Sequence, residues 1–66
     1  MNVVLNGTPK ELPPGTTVAA LIESMELGTD TYAVEINARV VKKNQHPVVA
    51  IQDGDRIEVV TFVGGG

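Results

Sequence analysis

The sequence predicts an α+β domain in which one helix packs on one face of a mixed sheet of four to five strands. Several short segments alternate apolar and polar residues, which is typical of half-buried strands, and one segment places apolar residues at helical spacing instead. The chain has 66 residues, enough for one small core. It has no cysteine, so neither a disulfide nor a zinc-thiolate site can hold that core together, and side-chain packing must do so.

The first predicted element is a hairpin. Alternating side chains over residues 1–6 indicate a strand. Asn6-Gly7 then favours a tight turn, because both residues tolerate the positive φ that such a turn requires. Pro9 cannot donate to a strand ladder, so the returning segment, residues 8–12, is expected at an edge of the sheet.

The helix is predicted to begin after Thr17, a favourable N-cap residue, and to end at Gly28. Its apolar stripe consists of Val18, Leu21, Ile22 and Met25. In so short a chain this stripe is expected to form the core rather than a partner-binding surface, since burial of that face supplies most of a helix's stability.

The remaining strands are predicted over residues 32–36, 39–41 and 56–62. Asn37-Ala38 should turn the chain between the first two, and Asp53-Gly54-Asp55 is expected to be a tight turn into the last. The order is then β-β-α-β-β-β, and the first and last strands are expected to pair in parallel at the centre of the sheet. That architecture is the β-grasp, or ubiquitin-like, fold.

Composition and motifs exclude several classes of function. A net charge of −3 argues against a nucleic-acid partner, and no apolar run approaches the length of about 18 residues that spans a membrane. We therefore expect a cytoplasmic protein. His46, the only histidine, is expected to be a solvated loop residue rather than a metal ligand, because the usual sites need three or four ligands. No phosphate-binding loop or catalytic constellation is present.

The chain ends in Gly64-Gly65-Gly66. The sequence predicts a domain over residues 1–63 and a flexible tail over residues 64–66, because glycine permits many backbone conformations. The carboxylate of Gly66 is then the one potentially reactive group, and the glycines would let it pass through a narrow channel of a partner. The alternative is an ordinary frayed end.

The sheet face that the helix leaves open is the predicted docking surface. Alternation places Val4, Ala33, Val60 and Phe62 on it, and Val63 at the junction with the tail is assigned to the same surface. A contiguous apolar patch marks an interaction site more often than scattered apolar residues do.

Several segments together resemble the thiamine-biosynthesis sulfur carrier family, ThiS. They are Thr17-Val18-Ala19-Ala20-Leu21-Ile22, Val34-Glu35-Ile36-Asn37, Asp53-Gly54-Asp55-Arg56-Ile57-Glu58-Val59-Val60 and the ending Val63-Gly64-Gly65-Gly66. The resemblance covers essentially the whole chain. Ala38, where family members often have glycine, and the loop Asn44-Gln45-His46-Pro47 depart from the family pattern.

The resemblance implies a carrier rather than an enzyme, monomeric when free and without a cofactor of its own. An E1-like adenylating enzyme would use ATP and magnesium to form the acyl-adenylate of Gly66. A persulfide sulfur donor would convert it to a thiocarboxylate, and thiazole synthase would accept the sulfur. Gly64 and Gly65 would provide the passage.

Two alternatives remain open from the sequence. One is a related carrier for molybdopterin or another sulfur-containing metabolite. The other is a ubiquitin-like modifier of proteins, or a plain interaction domain.

Overall fold

The computed structural model describes residues 1–62. Its elements are β1 (Asn2–Leu5), β2 (Thr8–Glu11), α1 (Val18–Ser24), β3 (Thr31–Ile36), β4 (Arg39–Val41) and β5 (Arg56–Phe62), with a 3₁₀ turn at Lys43–Gln45. The five strands form one sheet in the order β2-β1-β5-β3-β4. β1 and β5 are parallel and the other neighbours antiparallel. This mixed sheet and its helix confirm the predicted α+β class and β-grasp topology.

The central strand β5 is held by a turn asparagine on each side. Asn6 has a φ of 49°, which turns the chain out of β1, and its Oδ1 accepts the N–H of Val59 at 2.8 Å. Asn37 has a φ of 52°, and its Oδ1 accepts the N–H of Arg56 at 3.0 Å. Its amide also donates to Asp55 Oδ1 at 3.0 Å. The turn of each hairpin is therefore hydrogen-bonded directly to β5.

The helix packs on one face of the sheet as its apolar stripe predicted. Thr17 caps it, because its Oγ1 accepts the N–H of Ala20 at 3.1 Å. The buried core consists of Val3, Leu12, Val18, Leu21, Ile22, Val34, Ile51, Ile57 and Val59. Leu12 and Ile51 were not predicted to lie in this core. Both lie in irregular segments, where no periodicity indicates which side chains turn inward.

The predicted helix end at Gly28 is wrong. The helix ends at Ser24, Met25 caps it, and Glu26 takes the positive φ of 53°. The reason is that Leu27 packs against the core, so the chain must turn back before it reaches Gly28.

The expectation of a solvated His46 is also wrong, since its side chain is only 6% exposed. Its Nε2 lies 3.0 Å from the carbonyl oxygen of Val41, and its ring stacks on Tyr32 with 5.9 Å between centroids. The cause is in the backbone: the carbonyl of His46 accepts the N–H of Ala19 at 2.9 Å. This bond ties the loop to the first turn of the helix and carries the ring inward.

The segment after His46 also pairs with the start of the helix. The N–H of Val18 donates to the carbonyl of Val49 at 3.0 Å, and the N–H of Ile51 donates to the carbonyl of Thr16 at 2.9 Å. Ala50 also pairs with Thr17 as an isolated antiparallel bridge. This extended pairing accounts for the buried position of Ile51.

We expect Leu21→Ala to lower the free energy of unfolding by about 2–5 kcal/mol, because Leu21 is 1% exposed and its truncation leaves a cavity. Urea unfolding followed by circular dichroism measures this loss. Val48→Ala is the control, since that side chain is 69% exposed and its removal should change the stability by less than about 0.5 kcal/mol. Equal losses in the two variants would contradict the assigned core.

We expect Asn6→Gly to cost about 0.5–1.5 kcal/mol, because glycine keeps the positive φ but removes the acceptor of the Val59 N–H. Asn6→Asp retains an Oδ1 acceptor and is the matched control. In hydrogen exchange, the Val59 amide should lose protection in the glycine variant only. The same exchange rate in both variants would show that the side chain does not hold β5.

Candidate functional site

The last described strand, β5, leads directly into the glycine-containing residues 63–66. Ile57 and Val59 are buried beneath the helix. The opposite face, called here the open face, carries the alternate side chains of β5: Arg56, Glu58, Val60 and Phe62, all exposed. Side chains along a strand alternate between the two faces of the sheet. Because Ile57 and Val59 are buried on the helix face, the residues that alternate with them lie on the open face.

An apolar patch lies on the open face at the end of β5. Val60 is 49% exposed and pairs with Ala33 of β3. Phe62 is 58% exposed and pairs with Thr31. The structure therefore brings together Ala33, Val60 and Phe62, three of the five residues that the sequence assigned to the docking surface.

Val4 is on the same face but apart from this patch. It is half-buried and pairs with Arg56 at the start of β5. At about 3.3 Å per residue, Val60 lies about 13 Å further along the strand. The parallel register of β1 and β5, which alternation alone does not specify, causes this separation.

Val40 belongs to the open face and was missed from the sequence. It is 70% exposed and pairs with Glu35, whereas its neighbour Val41 pairs with the buried Val34. The alternation of Val40 and Val41 was a signal for this, but two consecutive valines do not show which one points inward.

Charges border the apolar patch. Glu35 and Glu58 pair directly across β3 and β5, with both side chains on the open face. Like charges in this arrangement repel each other, so a basic side chain of a partner placed between them would be favourable. Arg56 lies on the same face beside Glu58. The open face therefore suits a partner surface on which an apolar patch lies next to a basic side chain.

The carboxylates of the turn before β5 accept hydrogen bonds that hold the turn in place. Asp55 accepts hydrogen bonds from the backbone of Gln52 at 2.8 Å and from the amide of Asn37 at 3.0 Å. Asp53 accepts the N–H of Asn2 at 2.7 Å. Within residues 1–62 no group of three His, Cys, Asp or Glu side chains is placed to hold a metal ion. The structure confirms the predicted turn, in which Gly54 has a φ of 87°.

The predicted tail residues Gly64, Gly65 and Gly66, and Val63 before them, lie outside the described residues. Over the described part of the chain, no helix has the length and apolar character needed to cross a membrane.

Comparison with known proteins gives consistent matches. The ThiS family model matches residues 3–66. A thiazole synthase of Paramagnetospirillum magneticum is 38% identical over all of this chain, which spans about a fifth of that protein's length (20%). The sulfur carrier protein ThiS of Bacillus subtilis is 36% identical over 94% of this chain and 96% of its own. The crystal structure of a thiamine biosynthesis protein (ThiS) from Geobacter metallireducens superposes over 100% of both chains with a TM-score of 0.83 at 28% identity.

Proposed function

Because the chain belongs to the ThiS family, we propose that it is a sulfur carrier of thiamine biosynthesis whose C-terminal glycine carries the sulfur. The observation that carries this proposal is the extent of the family match, which runs through the glycines to residue 66. The fold supports it, since β5 lies at the centre of the sheet and delivers the chain directly to these residues.

The chemistry takes place on the carboxylate of Gly66, which is unreactive until it is activated. An E1-like adenylating enzyme supplies ATP and magnesium, and the carboxylate oxygen attacks the α-phosphate to give an acyl-adenylate and pyrophosphate. A cysteine persulfide then attacks the acyl carbon and AMP leaves. A second thiol attacks the cysteine sulfur of the resulting acyl disulfide, which forms a new disulfide and releases the thiocarboxylate.

The protein's own contribution is to present this group. Glycine has no side chain, so Gly64 and Gly65 give the backbone the smallest possible cross-section in the active site of a partner. The folded domain provides the surface by which partners recognise it. Catalysis belongs to the partners, which makes this chain a co-substrate and gives it no need of its own cofactor.

Thiazole synthase is the proposed acceptor of the sulfur. Support comes from the Paramagnetospirillum relative, which bears that name and contains a segment similar to this whole chain. A carrier and the enzyme that consumes its sulfur would gain from being joined, because a linker raises the effective concentration of one at the other. The proposed site of these steps is the cytoplasm, where ATP is available.

Mass spectrometry of protein co-expressed with the adenylating enzyme tests the role of Gly66. We expect a species with sulfur in place of one carboxylate oxygen. Oxidation of either of the two methionines adds nearly the same mass, so the sulfur must be located by alkylation and by fragment ions that contain Gly66.

Changes to the glycines should abolish loading without affecting the fold. One additional glycine after Gly66 moves the carboxylate by up to about 3.5 Å, and Gly65→Val adds bulk and restricts the backbone. Both variants should show no thiocarboxylate, with thermal unfolding as in the unchanged protein. Full loading of the lengthened variant would refute the proposed site.

The open face is the proposed docking surface for the adenylating enzyme and the synthase. Phe62→Ala and Val60→Asp should each weaken binding about tenfold in calorimetric titrations, because apolar anchors at an interface are costly to remove. Val48→Asp introduces the same charge at another exposed valine and should bind normally. Equal affinities for the Val60 and Val48 variants, or loss of the fold in either open-face variant, would contradict this assignment.

A further inference from the structure

The parallel ladder between β1 and β5 stops before β5 does. The N–H of Val4 donates to the carbonyl of Asp55 at 3.0 Å, and the N–H of Asn6 donates to the carbonyl of Ile57 at 2.9 Å. The odd-numbered residues of β5 therefore direct their backbone groups toward β1. The strand pairing ends at Leu5 and Ile57, since the chain turns away at Asn6.

The side chain of Asn6 replaces one more rung of this ladder. Its Oδ1 accepts the N–H of Val59 at 2.8 Å, where a continuing strand would have offered a carbonyl. Thr61 is the next residue whose N–H points to that side, and β1 has no residue opposite it. On the other side of β5, pairing with β3 continues to Phe62. Among the described residues, β5 is thus central along its first half and an edge strand along one side of its second half.

We propose that this free edge, residues 59–62 of β5, accepts an extended segment of thiazole synthase as an added strand. The inference rests on the proposed function and specifies how that partner binds the carrier. The N–H of Thr61 and the carbonyl of Val59 supply the backbone hydrogen bonds, in the way that extended peptides add to exposed sheet edges. An added strand here runs beside the last residues before the glycines and holds them in line with the partner's active site.

The sequence of this edge favours strand addition, and the other two edges do not. Residues 59–62 are Val, Val, Thr and Phe, all good strand formers. The edge strand β2 carries Pro9 and Lys10, features that discourage pairing with another chain, and β4 has only three residues.

Charge decides between a partner protein and a second copy of this chain. Each copy has a net charge of −3, and Glu58 lies at the start of the free edge on the open face. Two copies joined at this edge would repel each other. A synthase segment with a lysine or arginine next to Glu58 would instead be attracted. The inferred occupant is therefore an extended, basic segment of the synthase.

Amide hydrogen exchange measured by NMR, with and without purified thiazole synthase from the same organism, tests this arrangement. In the free protein the Thr61 amide should exchange rapidly and the Val59 amide more slowly. On binding, the Thr61 amide should gain at least about tenfold protection, because it acquires a backbone acceptor. Protection that instead rises with the concentration of the carrier alone would assign the edge to a second copy and overturn the proposal.

Substitution of Thr61 provides the second readout. Thr61→Pro removes the N–H on the free edge and none of the bonds to β3, so affinity for the synthase should fall by about 3- to 10-fold. Thr61→Ala keeps the N–H and should bind within about twofold of the unchanged chain. Circular dichroism verifies that the proline variant folds, and if it does not, the exchange experiment decides alone.

The outcomes separate this inference from the proposed function. Binding of the synthase with unchanged exchange at Thr61 overturns the added strand and leaves the sulfur carrier intact. Absence of any binding overturns both the edge and the choice of synthase as partner. Thiocarboxylate at Gly66, measured independently by mass, tests the carrier function by itself.

Discussion

The arrangement of β5 between β1 and β3 is the constraint on which the rest of the structure depends. Backbone hydrogen bonds to both neighbours place its inward residues beneath the helix, where Ile57 is fully buried. The turn asparagines Asn6 and Asn37 extend this hold from both sides. Pairing with β3 continues to Phe62, so the last described residue of β5 is still held in the sheet.

Much of this architecture follows from the sequence. Strand alternation, the Asn6-Gly7 turn and the capped helix each have a local physical cause, so the order and pairing of elements were predictable. Features that depend on distant contacts were not. His46 is buried because its backbone bonds to the helix at Ala19, and Val4 is apart from Phe62 because of the β1–β5 register. Neither feature can be predicted from the residues that adjoin His46 or Val4 in the sequence.

The residues of the candidate site also fall into two groups, those that the local sequence identifies and those that depend on distant contacts. Val60 and Phe62 were identifiable because they alternate with buried neighbours on a strongly patterned strand. Val40 was not identifiable, because in a pair of adjacent valines the sequence does not show which side chain lies on the open face. The opposition of Glu35 and Glu58 requires the pairing of β3 with β5 to be known. The structure adds that these two carboxylates are direct neighbours at the centre of the open face, whose apolar part is concentrated at the end of β5 nearest the glycines.

The parallel pairing of β1 and β5 also governs how the protein folds. Asn6 and Val59 are 53 residues apart in the sequence, so nearly the whole chain must be closed into a loop before their hydrogen bond can form. Contacts of such long range slow folding relative to local ones. During synthesis, the first hairpin and the helix leave the ribosome without the strand that completes their sheet. The domain therefore reaches its native state only after β5 has been synthesised, and a chain truncated before β5 lacks the centre of its core.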